Sequence, residues 1–75
     1  MPEIAPRISV DSNVRFGKPV ITGTRVTIDT VLGHLAGGDS IETVAEEYRI
    51  SREDVLAVLR YAAEVLAHEG VRTAS

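Results

Sequence analysis

Thr22-Gly23-Thr24 separates two β-branched segments, Val20-Ile21 and Arg25-Val26-Thr27, and this arrangement constrains the chain more than any other. A glycine between two such runs marks a tight hairpin whose corner needs positive φ, which glycine adopts without a Cβ penalty. Gly17 and Pro19 bracket the start of the hairpin, with Pro19 at a strand edge where its missing N–H does no harm. Upstream, Ile8-Ser9-Val10 alternates in period two and runs into Asp11-Ser12-Asn13, whose side chains bond their own backbone and favour a turn. A lone hairpin is only marginally stable in water, so its edges are expected to pair either with residues 8–10 or with a second subunit.

From Asp29 the apolar spacing becomes helical. Val31, Leu32, Leu35 and Ala36 form a stripe, Asp29 or Thr27 is the N-cap, and Gly37-Gly38 ends the helix where a left-handed residue is wanted. Asp39 or Ser40 opens a second helix with Ile41, Val44, Ala45 and Tyr48 on one face and Glu42, Glu46 and Glu47 on the other. Ser51-Arg52-Glu53-Asp54 is close to a capping box. It starts a third helix carrying Val55, Leu56, Val58, Leu59, Ala62, Ala63 and Leu66, with Gly70 as its expected end. The chain therefore reads as one mostly α domain over residues 1–75: a strand and β-hairpin in 8–27, a three-helix helix-turn-helix unit in 29–69, and a loose tail in 70–75.

The interior of such a domain is thin. The chain has 75 residues, no cysteine, no tryptophan, one phenylalanine and two tyrosines, so no disulfide reinforces it and its core must rest on Val, Ile, Leu and Ala. Oligomerisation is the remaining reinforcement. The third helix carries an apolar stripe too wide for one small partner helix, so part of it is expected to meet another chain, most simply by two-fold symmetry. Ile8, Val10, Val55, Leu59, Ala62 and Leu66 are the candidates for such an interface.

Catalysis finds no foothold. The segment "GKPVITGTRV" is not a phosphate loop, because Lys18 follows the first glycine and Gly23 precedes a strand. His34 and His68 have neither cysteines nor a paired ligand spacing and read as surface or boundary residues. Ser12, Ser40 and Ser51 have cap or turn explanations, and neighbouring carboxylates on a helix point in different directions. No catalytic residue, metal or cofactor is expected. With no apolar run near the ~20 residues of a membrane span and no leader pattern at the start, the chain reads as cytoplasmic.

The positive signal is "SIETVAEEYRISREDVLAVL". Ala45 stands where crossing helices need a small residue, Ile50 plugs the turn, and Val55 and Val58 face back from the next helix, which is helix-turn-helix spacing. Arg49, Ser51 and Arg52 lie at the end that would face a DNA groove, and Lys18 is the candidate for a phosphate contact. Two features oppose this use: Arg49 takes the turn position usually given to Gly, and Glu53-Asp54 would face phosphates. A trihelical module that never touches DNA accounts for the same spacing.

Taken in order, these pieces resemble the small bacterial and archaeal family of domains of unknown function numbered 433, with its G-x-P-x-I-x-G-T-R hairpin and three helices. Gly17, Pro19, Ile21, Gly23, Thr24 and Arg25 stand at the matching positions, and the resemblance covers about residues 8–66. Thr27 stands where many members have Pro, and "YRIS" where many have a Tyr-Pro turn. The resemblance implies a homeodomain-like fold and a homodimer or higher homo-oligomer. It also implies a VapB-type antitoxin that masks a PIN-like ribonuclease toxin and represses its own operon by binding operator DNA. Charge fits this division, since residues 1–38 carry four cations against three carboxylates, and residues 39–75 four against eight. The alternative is a homo-oligomeric interaction module that binds no DNA. Arg25 is expected to be the hairpin's structural cation, held by a carboxylate or a carbonyl.

Overall fold

The computed structural model describes residues 2–68. Three short strands, β1 (Glu3–Ala5), β2 (Ile8–Ser9) and β3 (Val20–Ile21), precede three helices, α1 (Ile28–Ala36), α2 (Ile41–Tyr48) and α3 (Arg52–His68). The strands form an antiparallel sheet in the order β1-β2-β3, with Ile8 opposite Ile21 and Ser9 opposite Val20. All four of these residues are buried, because β2 is the central strand and both of its faces are covered.

The hairpin partner is therefore β2, one of the two pairings that the sequence left open. The hairpin's own second arm barely forms. The Ile21 N–H donates to the Val26 carbonyl at 3.0 Å, and one bridge joins Val20 to Thr27. The arm stops because Thr27 is already the N-cap residue of α1. The corner matches its glycine, with Gly23 at φ +83°. Thr24 closes it by donating its hydroxyl to the Ile21 carbonyl at 2.8 Å and accepting the Val26 N–H at 3.0 Å.

Strand β1 is an addition to the expected fold. The Pro6-Arg7 corner joins it to β2 with Arg7 at φ +67°, and proline followed by a positive-φ residue is what a type II turn demands.

Each helix ends where its capping chemistry places it. In α1, Gly38 is the left-handed residue at φ +102°, and the Asp39 and Gly38 N–H groups bond back to the His34 and Leu35 carbonyls. In α2, the Ser40 hydroxyl accepts the Thr43 N–H at 3.0 Å. Arg49 (φ 56°, ψ 45°) then takes the left-handed C-terminal position, while the Ile50 N–H returns to the Ala45 carbonyl. At the start of α3 the capping box closes in both directions: Asp54 N–H to the Ser51 hydroxyl and Ser51 N–H to the Asp54 carboxylate, each at 3.0 Å. The end of α3 expected at Gly70 and the tail 70–75 lie outside the described residues.

Ile8, Ile21, Ile28, Val31, Val44, Val55, Ala57 and Val58 pack into one core between the sheet and the helices. Two interface candidates are corrected here. Ile8 and Val55 are each 0% exposed, because β2 is central in the sheet and Val55 lies one turn into α3 on its inner face. Neither reaches a partner.

Candidate functional site: two faces of the helical layer

The α2–α3 turn is tied to the sheet by a residue that the sequence did not single out. Arg7 Nη1 donates to Asp54 Oδ1 at 2.9 Å and lies 3.5 Å from the Ser51 hydroxyl. Burial alone would push the Asp54 carboxyl up, but the Ser51 N–H, the Arg7 guanidinium and the Ser51 hydroxyl together hold it below the ordinary carboxylate range. The structural cation is thus Arg7. Arg25 is exposed and makes no ion pair or side-chain hydrogen bond among the described residues, because the arm that would have brought it a partner ends at one bridge.

The four DNA candidates fare differently. Ser51 is occupied as a cap, and Arg52 is paired with Glu42 across the turn. Lys18 pairs with Asp29 at 3.3 Å and lines a cleft with Tyr61, nine residues along α3 from Arg52, so it sits about 13 Å from the turn along the helix axis. The Thr27 hydroxyl, then Lys18, draw the Asp29 carboxyl below its ordinary range. Arg49 alone is exposed without a carboxylate partner among the described residues. Around these cations Glu46, Glu47 and Glu53 are exposed, so the outer surface of α2 and the start of α3 is acidic.

The second face is apolar. Leu59 is 37%, Val65 38% and Leu66 61% exposed on α3, and Ile4 of β1 is 48% exposed beside them. Ala62 is half-buried on the same side, as is Val10 on its loop. Three open clefts of 290 to 370 Å³ share Tyr61 and run along this face. The middle one, of 320 Å³, is lined by Ile28, Leu32, Tyr61, Ala62, Val65 and Leu66.

His34 is neither solitary nor simply at the surface. Its Nδ1 lies 2.8 Å from Asp39 Oδ2, a carboxylate that can only accept, so Nδ1–H donates there, and Nε2 lies 2.7 Å from the Tyr48 hydroxyl, which it accepts from in the neutral ring. The rings of His34 and Tyr48 meet edge to face at 5.3 Å. The chain Asp39–His34–Tyr48 has the order of a catalytic triad, yet none of the three clefts is lined by its members. What it does is lock the last turn of α1 to the last turn of α2. Its signal in the sequence was the spacing of His34 and Asp39 across the Gly37-Gly38 stop, which brings a carboxylate back onto the helix end.

Fold and surface define a small, mostly helical domain seated on a three-stranded sheet, with no described helix long and apolar enough to cross a membrane. The chain belongs to the DUF433 family, described as a protein of unknown function, whose model matches residues 8–62. It is similar to the crystal structure of Rv2018 from Mycobacterium tuberculosis, with a TM-score of 0.65 at 29% identity over 69% of this chain. The match covers 24% of that protein, so this chain spans about a quarter of its length. No curated protein matches the chain.

Proposed function

We propose that this chain is the antitoxin-like member of a type II toxin–antitoxin pair: a homodimer, not an enzyme, that binds and neutralises a PIN-like ribonuclease. The observation that carries the reading is the division of its helical surface into an apolar face and an acidic one. The apolar face suits a second copy. The acidic face, with Glu46, Glu47 and Glu53 exposed and Arg52 already engaged by Glu42, suits a nuclease that must present cations to hold RNA. Neutralisation then needs no chemistry, only occupation of the surface that RNA would use.

Repression of its own operon, in complex with the toxin, is the second part of this reading. Arg49 is the cation best placed for it, at the exposed corner between α2 and α3.

Co-expression with the adjacent reading frame tests the proposal. Growth rescue and co-purification are expected for the native chain, and both are expected to be lost in a Glu46→Lys, Glu53→Lys double variant that remains folded. A folded native chain that neither rescues growth nor co-purifies with its neighbour would leave the homo-oligomeric interaction module standing instead.

A further inference from the structure

Arg15, Phe16 and Gly17 have φ of 51°, 59° and 80°, so three consecutive residues between β2 and β3 are left-handed, two of them without the freedom of glycine. Such backbone is unfavourable at each non-glycine position, because Cβ crowds the following carbonyl oxygen. Its effect is to stand Phe16 out of the domain, 100% exposed. Nothing inside the described fold compensates for this, since Phe16 covers no core residue and the turn makes only its own backbone bonds. A strained turn that displays the chain's sole phenylalanine is the arrangement of a binding anchor.

A receptor for that anchor lies on the same molecule, beside it. Lys18 and Pro19, which directly follow the turn, form the lip of the apolar cleft with Ile28, Leu32 and Tyr61, and the cleft continues to Val65 and Leu66. Its 320 Å³ exceeds the roughly 150 Å³ in which an apolar cavity holds a benzene ring. The anchor therefore stands next to its own chain's cleft without filling it. We infer that Phe16 of one copy inserts into the Tyr61–Leu66 cleft of a second copy and receives that copy's Phe16 in return, giving a two-fold dimer in which each subunit completes the other's apolar face. Anchor and receptor on one surface are what a self-complementary interface requires, because a single rotation satisfies both contacts at once. Charge is compatible: Arg15 arrives with Phe16 at a cleft system that Glu64 also lines, while Asp29 there is already paired with Lys18.

This inference rests on the homodimer in the proposed function, and the test separates the two. Sedimentation equilibrium and native mass spectrometry are applied to the full chain, to Phe16→Ala and to Leu66→Gln, with circular dichroism to verify folding. Both positions are exposed, so the variants are expected to keep the native spectrum. The native chain is expected to dimerise at micromolar concentration, and each variant to raise the dimer dissociation constant by at least about thirtyfold. Mixing the two variants is expected to yield a hetero pair more stable than either variant's own dimer, because Phe16 of the Leu66→Gln chain still finds an intact cleft on the Phe16→Ala chain. Variants as dimeric as the native chain, or a mixture showing no preference for the hetero pair, would overturn the anchor while leaving the dimer itself intact. A native chain that is monomeric at hundreds of micromolar would instead remove the dimer. If Phe16→Ala abolishes binding of the nuclease or of single-stranded nucleic acid with dimerisation unchanged, Phe16 serves a different partner and the inference fails.

Discussion

Arg7 does two jobs from one strained position. At φ +67° it turns β1 into β2, and its guanidinium crosses to Asp54, fastening the sheet to the cap of α3. Asp54 in turn is both the acceptor of that ion pair and half of the capping box with Ser51. Its carboxyl titrates lower in the folded chain than in the unfolded one. The stability it contributes is therefore present above the unfolded value of about 3.9 and is lost as pH falls through the lower folded value. Asp54→Asn is expected to flatten the fall in stability below about pH 4, measured by urea unfolding at each pH. Ser51→Ala, which removes the other half of the box, is expected to destabilise by about 1 kcal/mol at neutral pH. Arg49 offers the opposite experiment. It holds the left-handed C-terminal position of α2, where the Cβ of any residue but glycine is unfavourable. Arg49→Gly is expected to raise the unfolding free energy by up to about 1 kcal/mol, and an unchanged or lower value would mean that its side chain makes compensating contacts.

Among the elements, those with caps written in the sequence were legible. Ser40, Ser51 with Asp54, and the Gly37-Gly38 stop fix the helix ends locally, within four residues of each boundary, so short-range pattern sufficed. The sheet was less legible because its pairing is nonlocal. Nothing in Glu3-Ile4-Ala5 announces a strand, and β1 exists because β2 offers it an edge. For the same reason Ile8 and Val55 read as partner-facing when they are core: periodicity says that a residue is apolar, not which of two apolar neighbours will cover it. Leu59 and Leu66, farther along α3, keep the exposure expected of them because β1 and α1 meet this part of α3 only across open clefts, while Ala62 on the same side is half-buried. The Asp39–His34–Tyr48 lock was hidden by a fourteen-residue separation between histidine and tyrosine. Tyr48→Phe removes its hydroxyl while keeping the ring and is expected to destabilise by about 1 kcal/mol, read from thermal unfolding. A change below a few tenths would mean that ring packing, not the hydrogen-bond relay, joins α1 to α2.

At the scale of the whole molecule, the uneven charge bears on the partners proposed above. A net charge of -3 with the carboxylates concentrated after residue 38 opposes binding of a polyanion to the helical half of the chain, where the exposed unpaired cation at the α2–α3 corner is Arg49. Each phosphate contact contributes roughly one unit to the salt slope of DNA binding, and the exposed cations without an ion pair among the described residues, Arg15, Arg25, Arg49 and Arg60, lie on four different segments with only Arg49 at the α2–α3 corner, so that corner by itself has little electrostatic affinity to draw on. A cationic nuclease meets the opposite situation: the acidic surface of α2 steers it in and is screened beyond about 10 Å at 0.1 M salt. The expected pattern is then asymmetric. The isolated chain should give no mobility shift with its promoter at about 0.1 M salt, whereas its association with a nuclease of the proposed kind should slow several-fold between 0.05 and 0.5 M salt, with a smaller change in dissociation. A promoter complex formed by the chain alone, salt-sensitive and weakened by Arg49→Ala, would mean that the α2–α3 corner binds DNA without help from the nuclease. Nuclease association indifferent to salt would instead move the contact from the acidic surface to the apolar one, in competition with the second copy.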